Sequence, residues 1–409
     1  MECVSCKGKL KCGRQICPFY LSNESMFKID NKSEFSGNTP PSVFIGSKLR
    51  YPEVNVGILN TSEKVEDSWL YDAEKHWAEN NFDIRQVIFY RSNLINSRFK
   101  AKVQDVRTSS KLIDLSQQIG MSVKPIDVEV ELKNKINIKI NFNDISLPMG
   151  PVGKLKNIKI TSDPKIPGKI DKVVDDTDLK AIGAIDYLYN NNFDEYRIQE
   201  LLSVGVLGLK KNRKLVPTRF SITAIDDSIG KMLIKNVKEY NLLNEYRLFY
   251  GNFMGNHFLI MMFPDIFGYE LFESFLPGSA WNISSNINTM TDYEDFYGRK
   301  NYAENCGGGY YASRFGVLEY LNKIRRQGSI LVLRYETPEY WASLGVWVVR
   351  EAIKKTLQNQ CFIFNNKEEM LKQGKNIILN KLGYDISEML QKSKVINSIK
   401  EQKKLMEFL

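Results

Sequence analysis

The sequence predicts an α+β fold with one large mixed core, because strand-like and helix-like patterns succeed one another without regular βαβ alternation. Two continuous apolar runs of strand length, FLIMMFP (258–264) and SILVLRYE (329–336), have the character of buried central strands. AIGAIDYLYNN and WASLGVWVVREAIKK instead repeat their apolar positions at helical spacing, the latter with Trp341, Leu344, Val348 and Ala352 on one face. A chain of 409 residues with 43% hydrophobic content can bury such a core, which the pattern places at residues 43–390. A division into two domains near residue 170 is the other arrangement the sequence allows.

The chain opens with MECVSCKGKLKCGRQIC, in which Cys3, Cys6, Cys12 and Cys17 are spaced C-x2-C-x5-C-x4-C. Four thiolates complete a tetrahedral zinc shell and leave no open position, so residues 1–20 read as a structural C4-type zinc finger. The alternative is an iron–sulfur cluster, which Pro18 after the last cysteine would suit, although the five-residue gap departs from the ferredoxin run. Cys306 and Cys361 stand alone. Residues 21–42 contain NKSEFSGNTPPS and read as a linker.

VFIG and YPEVNVG then predict short strands around a basic turn holding Lys48 and Arg50. A helical stretch around WLYDAEKHWAE follows, with His76 as a packing or surface residue, and IRQVIFYR predicts a strand. The alternating run IDVEVELKNKINIKINF (126–142) predicts a hairpin turning at Lys133-Asn134-Lys135. LPMGPVGKLKN and TSDPKIPGK, dense in Pro and Gly, predict an ordered surface loop region. AIGAIDYLYNN and YRIQELLSVG return to helix.

Within the core, KLVPTRFSITAIDDSIGK offers Arg219 and the adjacent carboxylates Asp226 and Asp227. The pair could hold a divalent metal, or cap a helix beginning at the apolar run behind it. His257, at the entry to a buried strand with Asp265, Glu270 and Glu273 after it, is a candidate base or a hydrogen-bonded structural histidine. CGGGYYASR could bring backbone amides and Arg314 to a phosphate, or be a loop before a helix.

The balance of 57 Lys+Arg over 48 Asp+Glu gives a formal charge of +9 and favours anionic partners. No charge-free apolar run reaches membrane-spanning length, which excludes a membrane partner and predicts a cytoplasmic protein. Residues 391–409 form a basic tail ending in EQKKLMEFL. Gln402, Leu405, Phe408 and Leu409 occupy the positions of a Q-x-x-h-x-x-a-a clamp-docking peptide, or PIP motif. Leu405 and Phe408 fall on one side of a tight helical turn, while the Gln402 amide offers a donor and an acceptor. An ordinary amphipathic terminal helix is the competing reading.

A four-cysteine module and a clamp-docking peptide at opposite ends of a large core resemble the archaeal Nre family of DNA repair proteins. PPSVFIGSKLRYPEVNVG, VPTRFSITAIDD, GNHF and YYASRFGVLEYL carry the same resemblance along the middle of the chain. It implies DNA repair through contact with the sliding clamp PCNA, zinc ligation by the four N-terminal cysteines, and clamp docking by Gln402, Leu405, Phe408 and Leu409. Position 409 is Leu where the motif takes Phe or Tyr. No catalytic residue carries over. A core enzyme is therefore a separate expectation: a metal-dependent nuclease using Asp226 and Asp227, or a nucleotide-dependent transferase using Arg50, Arg219 and His257. A basic structural adaptor is the third.

Overall fold

A computed structural model describes residues 32–108, 110–136, 150–282 and 284–401. Cys3, Cys6, Cys12 and Cys17, expected to bind zinc, and Gln402, Leu405, Phe408 and Leu409, expected to dock on a clamp, lie outside them. The chain divides into two compact units between Ile229 and Gly230, neither a single core nor a split near residue 170. Each unit contains its own six-stranded sheet. The boundary falls inside one long helix, where no Pro- or Gly-rich linker marks it in the sequence.

The first unit comprises β1 (Glu34–Thr39), β2 (Val43–Ile45), β3 (Glu53–Asn60), β4 (Ile95–Lys102), β5 (Ile126–Leu132) and β6 (Val152–Ile160), in spatial order β1-β5-β6-β4-β3-β2. Every pairing is antiparallel except β4 with β6. Alternate residues Val54, Val56 and Ile58 of β3 and Val128 and Val130 of β5 are buried, as are Leu155 and Ile158 of β6 on either side of a register shift in its pairing with β5. Beside this sheet come α1 (Glu74–Glu79), α2 (Ile84–Ser92), α3 (Lys111–Met121), α4 (Gly168–Asp175), α5 (Ala181–Asn190) and α6 (Glu195–Ser203). α7 (Thr218–Val237) crosses the boundary between the units.

Three local expectations are corrected here. Part of the supposed linker is β1, paired with β5 along its whole length. The small polar residues of EFSGNT serve close packing: a Cβ on Gly37 would stand 2.1 Å from the Thr61 carbonyl oxygen. IRQVIFYR is the helix α2, not a strand. Asp83 and Gln86 form a reciprocal capping box, each side chain accepting the other's backbone N–H at 2.8 Å, and Ile84, Val87 and Ile88 share the buried face. The hairpin is replaced by a wider meander, because β1 and β6 occupy both edges of β5. Residues 137–142 lie outside the described residues, and β6 runs through the segment expected to be loop.

The second unit comprises β7 (Tyr246–Phe253), β8 (Asn256–Phe263), β9 (Gly268–Phe275), β10 (Asn288–Glu294), β11 (Ser329–Glu336) and β12 (Phe362–Phe364), in order β10-β9-β11-β8-β7-β12. The two apolar runs are indeed central neighbours, paired antiparallel from Ser329 opposite Phe263 to Glu336 opposite Asn256. One sheet face, with Leu259, Met261, Phe263, Leu331 and Leu333, packs under α10 (Lys367–Leu382), α11 (Ser387–Lys392) and α12 (Lys394–Glu401). The other lies under α8 (Gly308–Ile324) and α9 (Trp347–Gln358).

α9 starts later than its sequence pattern suggests. Gly345 has a φ of 102°, which breaks the helix before Trp347 and leaves Trp341 and Leu344 outside it. At the far end, the core continues beyond residue 390, with Val395 and Ile396 buried in α12. The Glu270 carboxylate accepts from Ser393 Oγ at 2.6 Å and from the backbone N–H groups of Lys394 and Val395 at 3.1 Å. A carboxylate there satisfies the orphan amides of the first turn and anchors the last described helix to β9. None of the described helices is long and apolar enough to cross a membrane.

Candidate functional site

The residues singled out as catalytic candidates fall in both units, Arg50, Arg219, Asp226 and Asp227 in the first and His257 in the second. Asp226 and Asp227 lie inside α7, eight and nine residues from its start, so they cap nothing. As helix neighbours they point about 100° apart and cannot share a cation as a facing pair. Asp226 is buried and Asp227 half-buried. Among the described residues, no group of three or more His, Cys, Asp or Glu side chains is placed to hold a metal. Arg219 is exposed on the first turn of α7, its guanidinium 4.5 Å from the centre of the Phe220 ring. Arg50 lies exposed in the turn before β3. His76 packs edge-on against Trp69 and Phe82, as expected of a packing residue.

His257 belongs to the second unit, and its Nδ1 lies 2.7 Å from the Tyr250 hydroxyl. Burial pushes its pKa below the usual histidine value, with Lys381 adding to the effect and Glu339 opposing it. Alternation along β8 turns His257 to the opposite side of the sheet from Asn256. It therefore stands apart from the charged cluster built around Asn256.

That cluster was not visible in the sequence. Arg334, in the middle of SILVLRYE, donates from Nη1 to Glu273 Oε1 at 2.6 Å and from Nη2 to Glu336 Oε2 at 3.1 Å. Its Nε and Nη2 both reach Asn256 Oδ1, at 3.1 and 2.5 Å. The register explains the meeting: Arg334 is opposite Glu273 across the parallel β9–β11 pair, and Glu336 is opposite Asn256 across β8. Glu336 and Asn256 have no exposed surface, and Glu273 and Arg334 are 3% and 6% exposed.

One guanidinium between two buried carboxylates balances only one of them. Burial pushes Glu336 up to about 7, against the pull of Arg334 and of the Trp281 N–H that it accepts at 3.2 Å. Glu273 is raised as well, first by burial and then by nearby Asp292, with Arg334 opposing. The glycines of CGGGYYASR explain how a helix can sit on this carboxylate: a Cβ on Gly309 would stand 2.3 Å from Glu273 Oε1. They open α8, with Gly307 as its N-cap.

Arg314, offered by the same segment for phosphate binding, is instead buried beneath Tyr310 and Tyr311. It donates to both oxygens of Glu294, at 3.0 and 3.2 Å. Arg299 pairs with Asp292 at 3.0 Å, and Asp292 also accepts the Cys306 N–H at 2.8 Å. Burial and the neighbouring carboxylates push the Cys306 thiol up, which makes it an inert packing group rather than a nucleophile.

A partly buried carboxyl organises the first unit. Glu200 accepts the Val43 N–H at 2.6 Å, and burial pushes it up to about 7 against the opposing charges of Arg197 and Arg91. Arg197 ties in the same loop, donating to the carbonyls of Gly120 at 3.0 Å and Pro41 at 3.5 Å. The Ile45 N–H reaches Thr218 Oγ1 at 2.9 Å. PPSVFIG and VPTRF, distant in sequence, therefore meet here. These networks fix strand ends, loop and helix starts.

The same segments fall within the reach of two family profiles. The profile described as archaeal Nre, N-terminal, matches residues 11–282, and that described as archaeal Nre, C-terminal, matches residues 294–408. The chain is 36% identical over 385 residues to DNA repair protein NreA of Archaeoglobus fulgidus, covering 93% of this chain and 95% of the relative. It is 34% identical to DNA repair protein NreB of the same organism over 409 residues, the whole of both chains. DNA repair protein NreA of Haloferax volcanii is 33% identical over 329 residues, or 79% of this chain and 78% of that protein. No solved structure matches. Two profiles that together span nearly all of the sequence, and full-length relatives above 30% identity, place this chain in the archaeal Nre family.

Proposed function

We propose that the chain is a DNA repair factor brought to DNA by the sliding clamp PCNA through Gln402, Leu405, Phe408 and Leu409. The reading is carried by end-to-end similarity to proteins named for DNA repair, combined with a docking pattern at the C-terminus. The anchoring of α12 by Glu270 supports it, since the peptide then follows immediately after a helix held to the core. Calorimetric titration of PCNA into the full chain gives saturable binding that disappears when residues 402–409 are deleted. Unchanged affinity of the truncated chain rules out docking through this peptide.

In the same reading, Cys3, Cys6, Cys12 and Cys17 hold a structural zinc ion. The donor set suits it: four thiols at short spacing, with Cys306 and Cys361 separate and each among packing contacts. Lys7, Lys9, Lys11 and Arg14 offset the charge of a zinc bound to four thiolates. Elemental analysis of the purified protein finds one zinc per chain, lost in Cys12→Ser. Iron with acid-labile sulfide in its place identifies a cluster instead.

A further inference from the structure

We propose that the solvent face of the first sheet binds a single-stranded stretch of DNA along β4 and β6, an inference that rests on the reading of the chain as a DNA repair protein. Arg98, Lys100 and Lys102 project from alternate positions of β4, and Lys154 stands beside Arg98 on β6. All four are exposed, and none forms an ion pair among the described residues. Alternate residues along a strand are about 7 Å apart and neighbouring strands about 5 Å, so four cations occupy a compact patch of one open face.

The neighbouring part of that face is different. Asp127, Glu129 and Glu131 of β5 are already neutralised by Lys64, Lys159 and Lys156. Glu53, opposite Lys102, is the acidic residue in register with the basic row. Lys48 and Arg50 lie in the turn entering β3, at the end of the sheet that carries Lys102. The sheet face thus has one positive lane with spare charge rather than a scatter of solvated lysines.

An aromatic side chain shares the lane. Phe44 of β2 is opposite Gly57 of β3, and Gly57 is opposite Arg98, so one row across the sheet reads Phe44, Gly57, Arg98, Lys154 on the same face. Phe44 is partly exposed. The space a side chain at Gly57 would take is filled by the Asn96 amide, whose Oδ1 would stand 2.0 Å from a Cβ there, so a polar amide lies between the ring and the guanidinium. A flat ring on the edge strand, about 10 Å across the sheet from a basic strand, suits an unpaired base stacked on the ring with its phosphates on the basic strand, whereas a duplex offers no free base face. This gives Arg98 and Lys100 a role that packing does not require of them.

The test uses the full chain and fluorescence anisotropy with labelled oligothymidine. Arg98→Glu with Lys100→Glu weakens binding at least tenfold and lowers the salt slope by about 1.4, for two phosphate contacts at about 0.7 each. Lys210→Glu with Lys211→Glu, an equal charge change at exposed residues elsewhere in the unit, leaves binding within about twofold of the parent. Phe44→Leu weakens oligothymidine binding about fivefold and leaves duplex binding unchanged. Far-UV circular dichroism checks folding, and Arg98→Gln with Lys100→Gln serves if the reversal variant does not fold.

Equal losses in both charge-reversal pairs overturn the proposal, as does tighter binding of duplex DNA or of RNA of the same length. Loss of PCNA binding on deletion of 402–409 with oligothymidine binding intact supports both readings. PCNA binding that survives the deletion tells against the docking peptide alone. An Arg98→Glu, Lys100→Glu variant that keeps parental DNA affinity tells against the sheet face alone.

Discussion

Replacing Arg334 by Ala lowers the stability of the protein by about 3–5 kcal/mol, because two buried carboxylates lose the cation between them. Glu273 and Glu336 are both sealed from solvent, and each is hydrogen-bonded to this guanidinium. Asn256 loses the two donors that reach its side-chain oxygen. A domain has about 5–15 kcal/mol in total, so the loss is a large share of it. Denaturant titration followed by circular dichroism measures the shift in midpoint. Arg334→Lys gives a loss of the same sign, since an ammonium lacks the planar fork that serves three partners at once. A change below about 1 kcal/mol in Arg334→Ala rules out the network as a structural keystone.

The second large effect is a stability that falls as pH rises. Glu336 titrates near 7 in the folded protein against an ordinary 4.5, so the native state holds a proton that the unfolded chain has released. Stability from this group is therefore full below about pH 4.5 and is lost as pH rises through about 7. The difference corresponds to about 3 kcal/mol. Glu336→Gln removes the titration; its single amide oxygen can accept from Arg334 or from the Trp281 N–H but not from both, because these donors reach different oxygens of Glu336. The variant's thermal midpoint falls less between pH 5 and pH 8 than the parent's, whatever the offset from the lost acceptor. Glu200, also raised to about 7, adds a dependence of the same sign in the first unit, so the comparison between parent and single variant isolates Glu336. A parent whose midpoint rises from pH 5 to pH 8, with Glu336→Gln following it, contradicts the assignment.

Some of this was legible in the sequence for physical reasons. FLIMMFP and SILVLRYE announced central strands because a strand buried on both faces has no polar alternation to disguise it. The helix in IRQVIFYR was announced by Asp83 and Gln86, three apart, but its β-branched residues favour strand and outweighed the cap in a local reading. The hairpin failed for a different reason. Alternation states that β5 has two faces, and says nothing of which strand fills each edge. The split between the units is invisible because it passes through a helix with ordinary composition.

The candidate residues divide in the same way. The spacings of Cys3, Cys6, Cys12 and Cys17, and of Gln402, Leu405, Phe408 and Leu409, are properties of short segments, so the sequence alone proposes their chemistry. Family membership likewise follows from the order of residues. Arg334, by contrast, meets partners 61 and 78 positions away, at Glu273 and Asn256. A sequence shows that a charge interrupts an apolar strand; the worth of that charge depends on distance and burial, which only the register of β8, β9 and β11 decides. The alternation of β8 turns His257 away from the cluster, the helical turn of α7 separates Asp226 from Asp227 in direction, and the register of β2, β3, β4 and β6 sets Phe44, Gly57, Arg98 and Lys154 in one row. Coulombic and stacking energies fall with separation in space, and tertiary pairing is what converts separation in sequence into separation in space.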